Sequence, residues 1–214
     1  MITQRGRGGI DMPVNKQKQL LVCFVALALF LTGCVSIPQI QKGMDKVDDA
    51  WAVANENLVK TLGTREYRIR KKTAFRAMVI ALTELGFIVT NQDLETGLIL
   101  AKAPVPTPLS KSEWAAVKKI EEPKMQAMVS SDVGEFTANL FVLSDTNFNV
   151  ILNVIMLERP KDLQISFHFQ MEYTGPKTGI VYGQQPPPEA VKYSLKKAWN
   201  IFEKNAFIQK GTFK

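Results

Sequence analysis

A chain of 214 residues that is 46% hydrophobic and 22% charged has a normal apolar content and, once its first part is set aside, room for one domain of ordinary size or two very small ones. Its formal charge of +7 is partly carried by the stretch before residue 34, where Arg5, Arg7, Lys16 and Lys18 face one acid, Asp11. From residue 34 onward 23 basic residues stand against 19 acidic ones, about +4, which gives no ground for nucleic acid as a partner.

The first segment reads as a targeting signal. Lys16 and Lys18 precede an unbroken apolar run from Leu20 to Leu31, and Thr32-Gly33-Cys34 follows. A positive region, a short apolar core and small residues before a cleavage point are the parts of a secretory signal. Twelve helical residues rise about 18 Å, short of the roughly 30 Å hydrocarbon core, so a spanning helix is not expected. Met12 begins a signal of more ordinary length, which makes it the expected true start. Leu31-Thr32-Gly33-Cys34 resembles the lipobox of bacterial lipoproteins at all four positions. The resemblance implies cleavage before Cys34, a diacylglycerol on its sulfur and a further acyl chain on its freed amine. Several acyl chains anchor a protein stably where one does not. Val35 and Ser36 after the cysteine, with no Asp, imply by the same resemblance the inner leaflet of the outer membrane, facing the periplasm. Cys23 is lost with the signal, so no free thiol or disulfide is expected.

Residues 35–43, with Pro38 and Gly43, read as a tether. Met44, Val47, Trp51, Ala54, Leu58 and Leu62 recur at helical spacing over 44–62. That stripe suits packing on the chain's own domain or on a partner helix. Gly63 is a stop. Arg65 to Arg70 reads as a strand with Tyr67 and Ile69 on one face. Thr73 is the expected cap of a helix to Leu85, carrying Phe75, Met78, Leu82 and Leu85, and Gly86 takes the left-handed closing position. Phe87–Thr90 and Leu98–Lys102 are strands around a turn rich in Asn, Asp and Gly.

Pro104, Pro106 and Pro108 suggest an extended connector. Ser110 and Glu113 form a capping box for a helix from Lys111 to Met128, disturbed at Pro123. Residues 129–147 fit a helix or, from Thr137 to Leu143, a strand. Phe148–Glu158 is strand-like, Arg159–Asp162 turns the chain, and Leu163–Thr174 alternates. Leu163, Ile165, Phe167, Phe169, Met171 and Tyr173 face one way, with polar residues opposite, as in an antiparallel sheet covered on one face. After Pro186–Pro188 a last helix buries Val191, Leu195, Ala198, Trp199 and Phe202. Asn205 is its expected end, and Phe207-Ile208 its expected pin. The fold class is therefore α+β, a mostly antiparallel sheet with helices on one face, preceded by a signal peptide (1–33) and an acylated tether with an amphipathic helix (34–63). Residues 64–214 form the single folded domain. Phe75 to Lys102, including Leu85-Gly86-Phe87, together with Tyr193 to Phe207, resemble the helix-grip lipoproteins typified by the lipoprotein subunit of the outer-membrane β-barrel assembly machine. This implies a binding or scaffolding role and transfers no site residues.

No catalytic set is evident. His168 shares a strand face with Ser166 and Glu172, at spacings of about 6–7 Å per step, too wide for a triad along one strand. No elbow, phosphate loop, calcium loop or zinc-ligand set is present. Neither a metal nor a cofactor is expected, apart from the covalent acyl groups on Cys34. Arg65, Arg68, Arg70, Lys71, Lys72 and Arg76 make a basic cluster suited to an anionic surface or, equally, to a plain solvated face. The sequence thus points to a non-enzymatic envelope lipoprotein, bound to membrane lipid through Cys34 and acting as a binding or assembly accessory with an envelope protein partner. The alternative is a lipoprotein that holds a small apolar ligand or lipid between sheet and helix. A third, minor option is an enzyme using the face of Ser166, His168 and Glu172.

Overall fold

The computed structural model describes residues 35–176 and 179–211, with side chains as far as Phe207. The signal, Met12, Cys23 and Cys34 lie outside the described residues. In chain order the elements are α1 (Ile37–Thr61), β1 (Thr64–Tyr67), α2 (Lys71–Glu84), β2 (Ile88–Asp93), β3 (Leu98–Pro104), α3 (Lys111–Val133), α4 (Glu135–Ala138), β4 (Phe148–Glu158), β5 (Leu163–Tyr173) and α5 (Pro188–Gly211). The five strands form one antiparallel sheet in the order β1-β5-β4-β3-β2. The fold is α+β, as the sequence implies.

Strand alternation decides which face is covered. Val150, Leu152, Val154 and Met156 on β4 pair with Met171, Phe169, Phe167 and Ile165 on β5. On the other side Ala103, Ala101 and Ile99 of β3 continue the rows. Nearly all of these side chains are buried, and α2 and α5 close over them. Residue period 2 places Lys102, Asn153, Ser166, His168 and Gln170 on the opposite, open face. A left-handed residue is required at Gly97 (φ 77°), where an added Cβ would stand 2.2 Å from the Met156 carbonyl oxygen. Only glycine fits there.

The helix stripe of α5 is borne out: Val191, Leu195, Ala198, Trp199 and Phe202 are all buried. Phe167 meets Trp199 edge-on at 4.5 Å, and Tyr67 meets Phe202 at 5.3 Å, geometries that aromatic quadrupoles favour. The Trp199 indole N–H donates to the Leu62 carbonyl at 2.7 Å. α1 packs on α3 and α5; of its expected stripe Val47 and Trp51 are buried, while Leu62, past the helix end, is exposed. Gly43 brings the two helices together, its missing side chain leaving room for Val129.

Several expectations shift. The tether is shorter than residues 35–43, because α1 already starts at Ile37; Pro38 suits a first turn, where its missing N–H costs nothing. α2 begins at Lys71, two residues before Thr73, with no side-chain cap. The proline connector is not extended: Thr107 and Leu109 donate to the carbonyls of Pro104 and Pro106, forming successive turns. The Ser110–Glu113 capping box is present, but α3 runs through Pro123 to Val133. Pro123 lies on the exposed face, where carbonyls freed by its missing N–H can meet water. Thr137–Leu143 is not a strand. α5 continues past Asn205, which is buried and donates to Glu84 and to the Ile201 carbonyl. Phe207 is exposed and pins nothing.

Candidate ligand-binding cleft

The core is complete under α5 but not at the end of the sheet where β4 begins and β5 ends. There α1 and α3 stand apart from the strands, and an apolar cleft of about 390 Å³ opens between them. Ile40, Met44, Val47 and Trp51 of α1 form one wall, and Trp114 and Met125 of α3 another. Phe148 and Met171 close the sheet end. Two irregular segments complete it: Leu140 to Ser144, and a strap from Ile180 to Pro187. Such a volume and lining are typical of small-molecule sites. Met44, Met125 and Met171 supply flexible, polarisable side chains that adapt to irregular ligands.

The irregular walls are pinned by hydrogen bonds. Asp48 accepts from the Gln185 backbone N–H at 2.8 Å, and Asn55 donates to the Pro186 carbonyl at 2.9 Å. Gln41 makes a reciprocal pair with the Val181 backbone, at 2.8 and 2.9 Å. Met171 N–H donates to the Gln184 carbonyl. At Gly183 a Cβ would fall 2.4 Å from the Asp48 carboxylate, so a glycine there lets the strap lie against α1. Tyr173 and Tyr182 stack at 4.0 Å, with Phe148 edge-on to both. Across the cleft, Glu122 accepts from the Leu143 N–H at 3.0 Å. The Trp114 indole donates to Asp145 at 2.6 Å, and Lys118 pairs with the same carboxylate. Lys118 first and Trp114 second hold the Asp145 carboxyl below the usual range.

The one charged residue among the lining side chains, Asp48, is engaged by the strap. The remaining lining side chains are uncharged and mostly apolar. The buried Glu121 carboxylate caps the start of α5 by accepting from Glu189 N–H at 3.2 Å, where the positive helix end favours an anion.

The basic cluster is not one surface. Arg65 turns toward α5, pairs with Glu203 at 2.7 Å and lies over the Trp199 ring at 4.8 Å. Tyr67 donates to the same Glu203 at 2.7 Å, and burial, with Glu203, raises its phenol above the ordinary value. Lys71 donates to the Glu95 carbonyl. Arg68 and Arg70 line a shallow groove with Arg159 and Lys161 of the β4–β5 turn, and Arg68 pairs with Asp162 at 3.6 Å. Lys72 and Arg76 are exposed on α2. His168, half-buried on the open face, has its pKa lowered by burial. Glu172 is bound to Lys102, and no hydrogen bond joins Ser166, His168 and Glu172 among the described residues. No cluster of metal-ligand side chains and no helix long and apolar enough to cross a membrane occurs among them either.

The sequence suggested an apolar groove between sheet and helix only as an alternative and assigned none of these lining residues to it. The signal for the cleft was the apolar run Leu140-Phe141-Val142-Leu143, which pairs with no strand and lines the cleft instead. No family model matches the chain, and no curated protein matches its sequence.

Proposed function

We propose that this chain is an envelope lipoprotein, anchored through acylated Cys34 and facing the periplasm, that works by non-covalent binding of an apolar, chain-like ligand in the cleft. The observation that carries this reading is the cleft itself. It is an apolar space of about 390 Å³ that opens to solvent beside the exposed Leu140 and Val142, and apolar walls left facing water favour a ligand that covers them. Wall atoms without packing partners also forfeit dispersion contacts. A ligand carrying an alkyl chain would restore them, at roughly 0.8 kcal/mol per buried methylene. Partner binding and assembly then become the means of delivery or receipt of such a ligand, and the envelope protein partner of the sequence reading keeps its place. Only Val35 and Ser36 separate Cys34 from α1, so an anchor there would hold the domain close to a bilayer.

Native mass spectrometry of the protein extracted from membranes tests this. The expected spectrum shows a chain that starts at Cys34, carries covalent acyl mass and holds an additional non-covalent lipid. Met44→Glu, which places a charge in the wall of the cleft, should keep the covalent mass and lose the additional one. A wild-type protein with no retained lipid, and no uptake of added fatty acid, would overturn the binding reading.

A further inference from the structure

The rim of the cleft carries a second message. Leu140 and Val142 line the cleft yet remain 67% and 61% exposed, and Phe136 beside them on α4 is 83% exposed. On the facing side, Val181 stands between the lining residues Ile180 and Tyr182 and is 73% exposed. Ile37, one turn before the lining residue Ile40, is also exposed. These side chains are held out by built structure: Gln41 fixes the backbone of Val181 with two hydrogen bonds, and Gln126 donates to the Phe141 carbonyl at 3.0 Å. Isolated exposed apolar residues need no explanation, but a group around the mouth of an apolar cleft marks an interaction surface. The open sheet face also carries exposed apolar residues: Leu98 pairs with Ile155, two residues along β4 from Leu157, while Ile88 stands beside Lys102, but none of them lines the cleft.

We propose that this rim docks on the bilayer that holds the Cys34 anchor, with Phe136, Leu140, Val142 and Val181 entering the headgroup boundary, so that an acyl chain moves between membrane and cleft without crossing water. The proposal rests on the lipoprotein reading given above. The bilayer is the occupant because Ile37, on the same rim, follows the acylated residue after only Val35 and Ser36. Apolar side chains at that boundary bind in proportion to the area they bury, and the anchor makes the docking intramolecular, so weak contact suffices.

The acylated protein offers a clean probe, since Cys34 carries a thioether and Cys23 is gone with the signal; an introduced cysteine is then the one free thiol. Phe136→Cys, Val142→Cys and, as a control at an exposed polar position on the open face, Gln170→Cys are each labelled with a nitroxide. They are reconstituted in vesicles of phosphatidylethanolamine and phosphatidylglycerol. Labels at 136 and 142 should become severalfold more accessible to oxygen and severalfold less accessible to a water-soluble nickel chelate, relative to the label at 170 in the same vesicles. Vesicle-bound protein in which all three labels stay equally open to nickel would overturn the docking while leaving the anchor intact. Protein that fails to float with the vesicles would overturn the anchor reading and the docking with it.

Discussion

The two ends of the sheet use similar residues to opposite effect. At the β1 edge, Tyr67, Phe167, Trp199 and Phe202 meet edge to face under α5, and every polar tip has a partner: Trp199 on Leu62, Tyr67 and Arg65 on Glu203. At the other end Trp51, Trp114, Phe148 and Tyr182 are as numerous, yet they line a space of about 390 Å³. The first cluster is closed by a regular helix whose stripe matches the sheet. The second is closed on two sides by loops held through a handful of hydrogen bonds, which yield more easily than packed helices. Aromatic content therefore does not distinguish core from site; what covers the aromatics does.

The sharpest way to break this contrast is to truncate one tryptophan at each end. Trp199→Ala should cost about 3–5 kcal/mol, as large-to-small changes do in a tight core. Trp51→Ala, which enlarges a space that already exists, should cost less than half as much, measured by urea denaturation of the soluble domain in detergent-free buffer. Equal costs would mean that the cleft end is packed as tightly as the core. The same measurement on Gly183→Ala sharpens the role of the strap. The added Cβ would displace the Asp48 carboxylate and break its bond to Gln185. About 1 kcal/mol of stability should be lost, with a larger proportional loss of ligand affinity.

An effect of similar size concerns the link between the two ends. Glu113, at the start of α3, accepts from Lys197 of α5 and closes the Ser110 capping box. Lys197 first, then the Ser110 backbone, hold its carboxyl below the ordinary value near 4.5. Because the folded state favours the ionised form, the stabilisation is complete above about 4.5 and is lost as pH falls below it. Glu113→Gln should cost about 1 kcal/mol at neutral pH and make the acid limb of the stability curve shallower there.

The regular half of the molecule was legible because its signals are local. Period-2 alternation over Leu163–Tyr173 and the helical stripe from Val191 to Phe202 each define a buried face without reference to anything distant. The Ser110–Glu113 box marks its helix for the same reason. The cleft was not legible, because its walls come from α1, α3 and two irregular segments more than thirty residues apart in sequence. Register across the chain also decided the basic cluster. As a run of residues it reads as one patch, but β1 pairs Arg65 with Ile165, so its exposed guanidinium lies over Trp199 and against Glu203 while Arg68 and Arg70 remain at the turn. Pro123 misled for a physical reason too: on the solvent side of α3 its missing hydrogen bond is tolerated, so the helix continues.

Two of the three tryptophans, Trp51 and Trp114, line the cleft, and Trp199 lies in the core. Titration of the protein with a bromine-labelled fatty acid, followed by tryptophan emission, therefore tests the binding reading most directly. Saturable quenching that removes the Trp51 and Trp114 contribution, and that persists in Trp199→Phe, is the expected result. Emission unchanged at saturating fatty acid, or quenching lost only in Trp199→Phe, would contradict it.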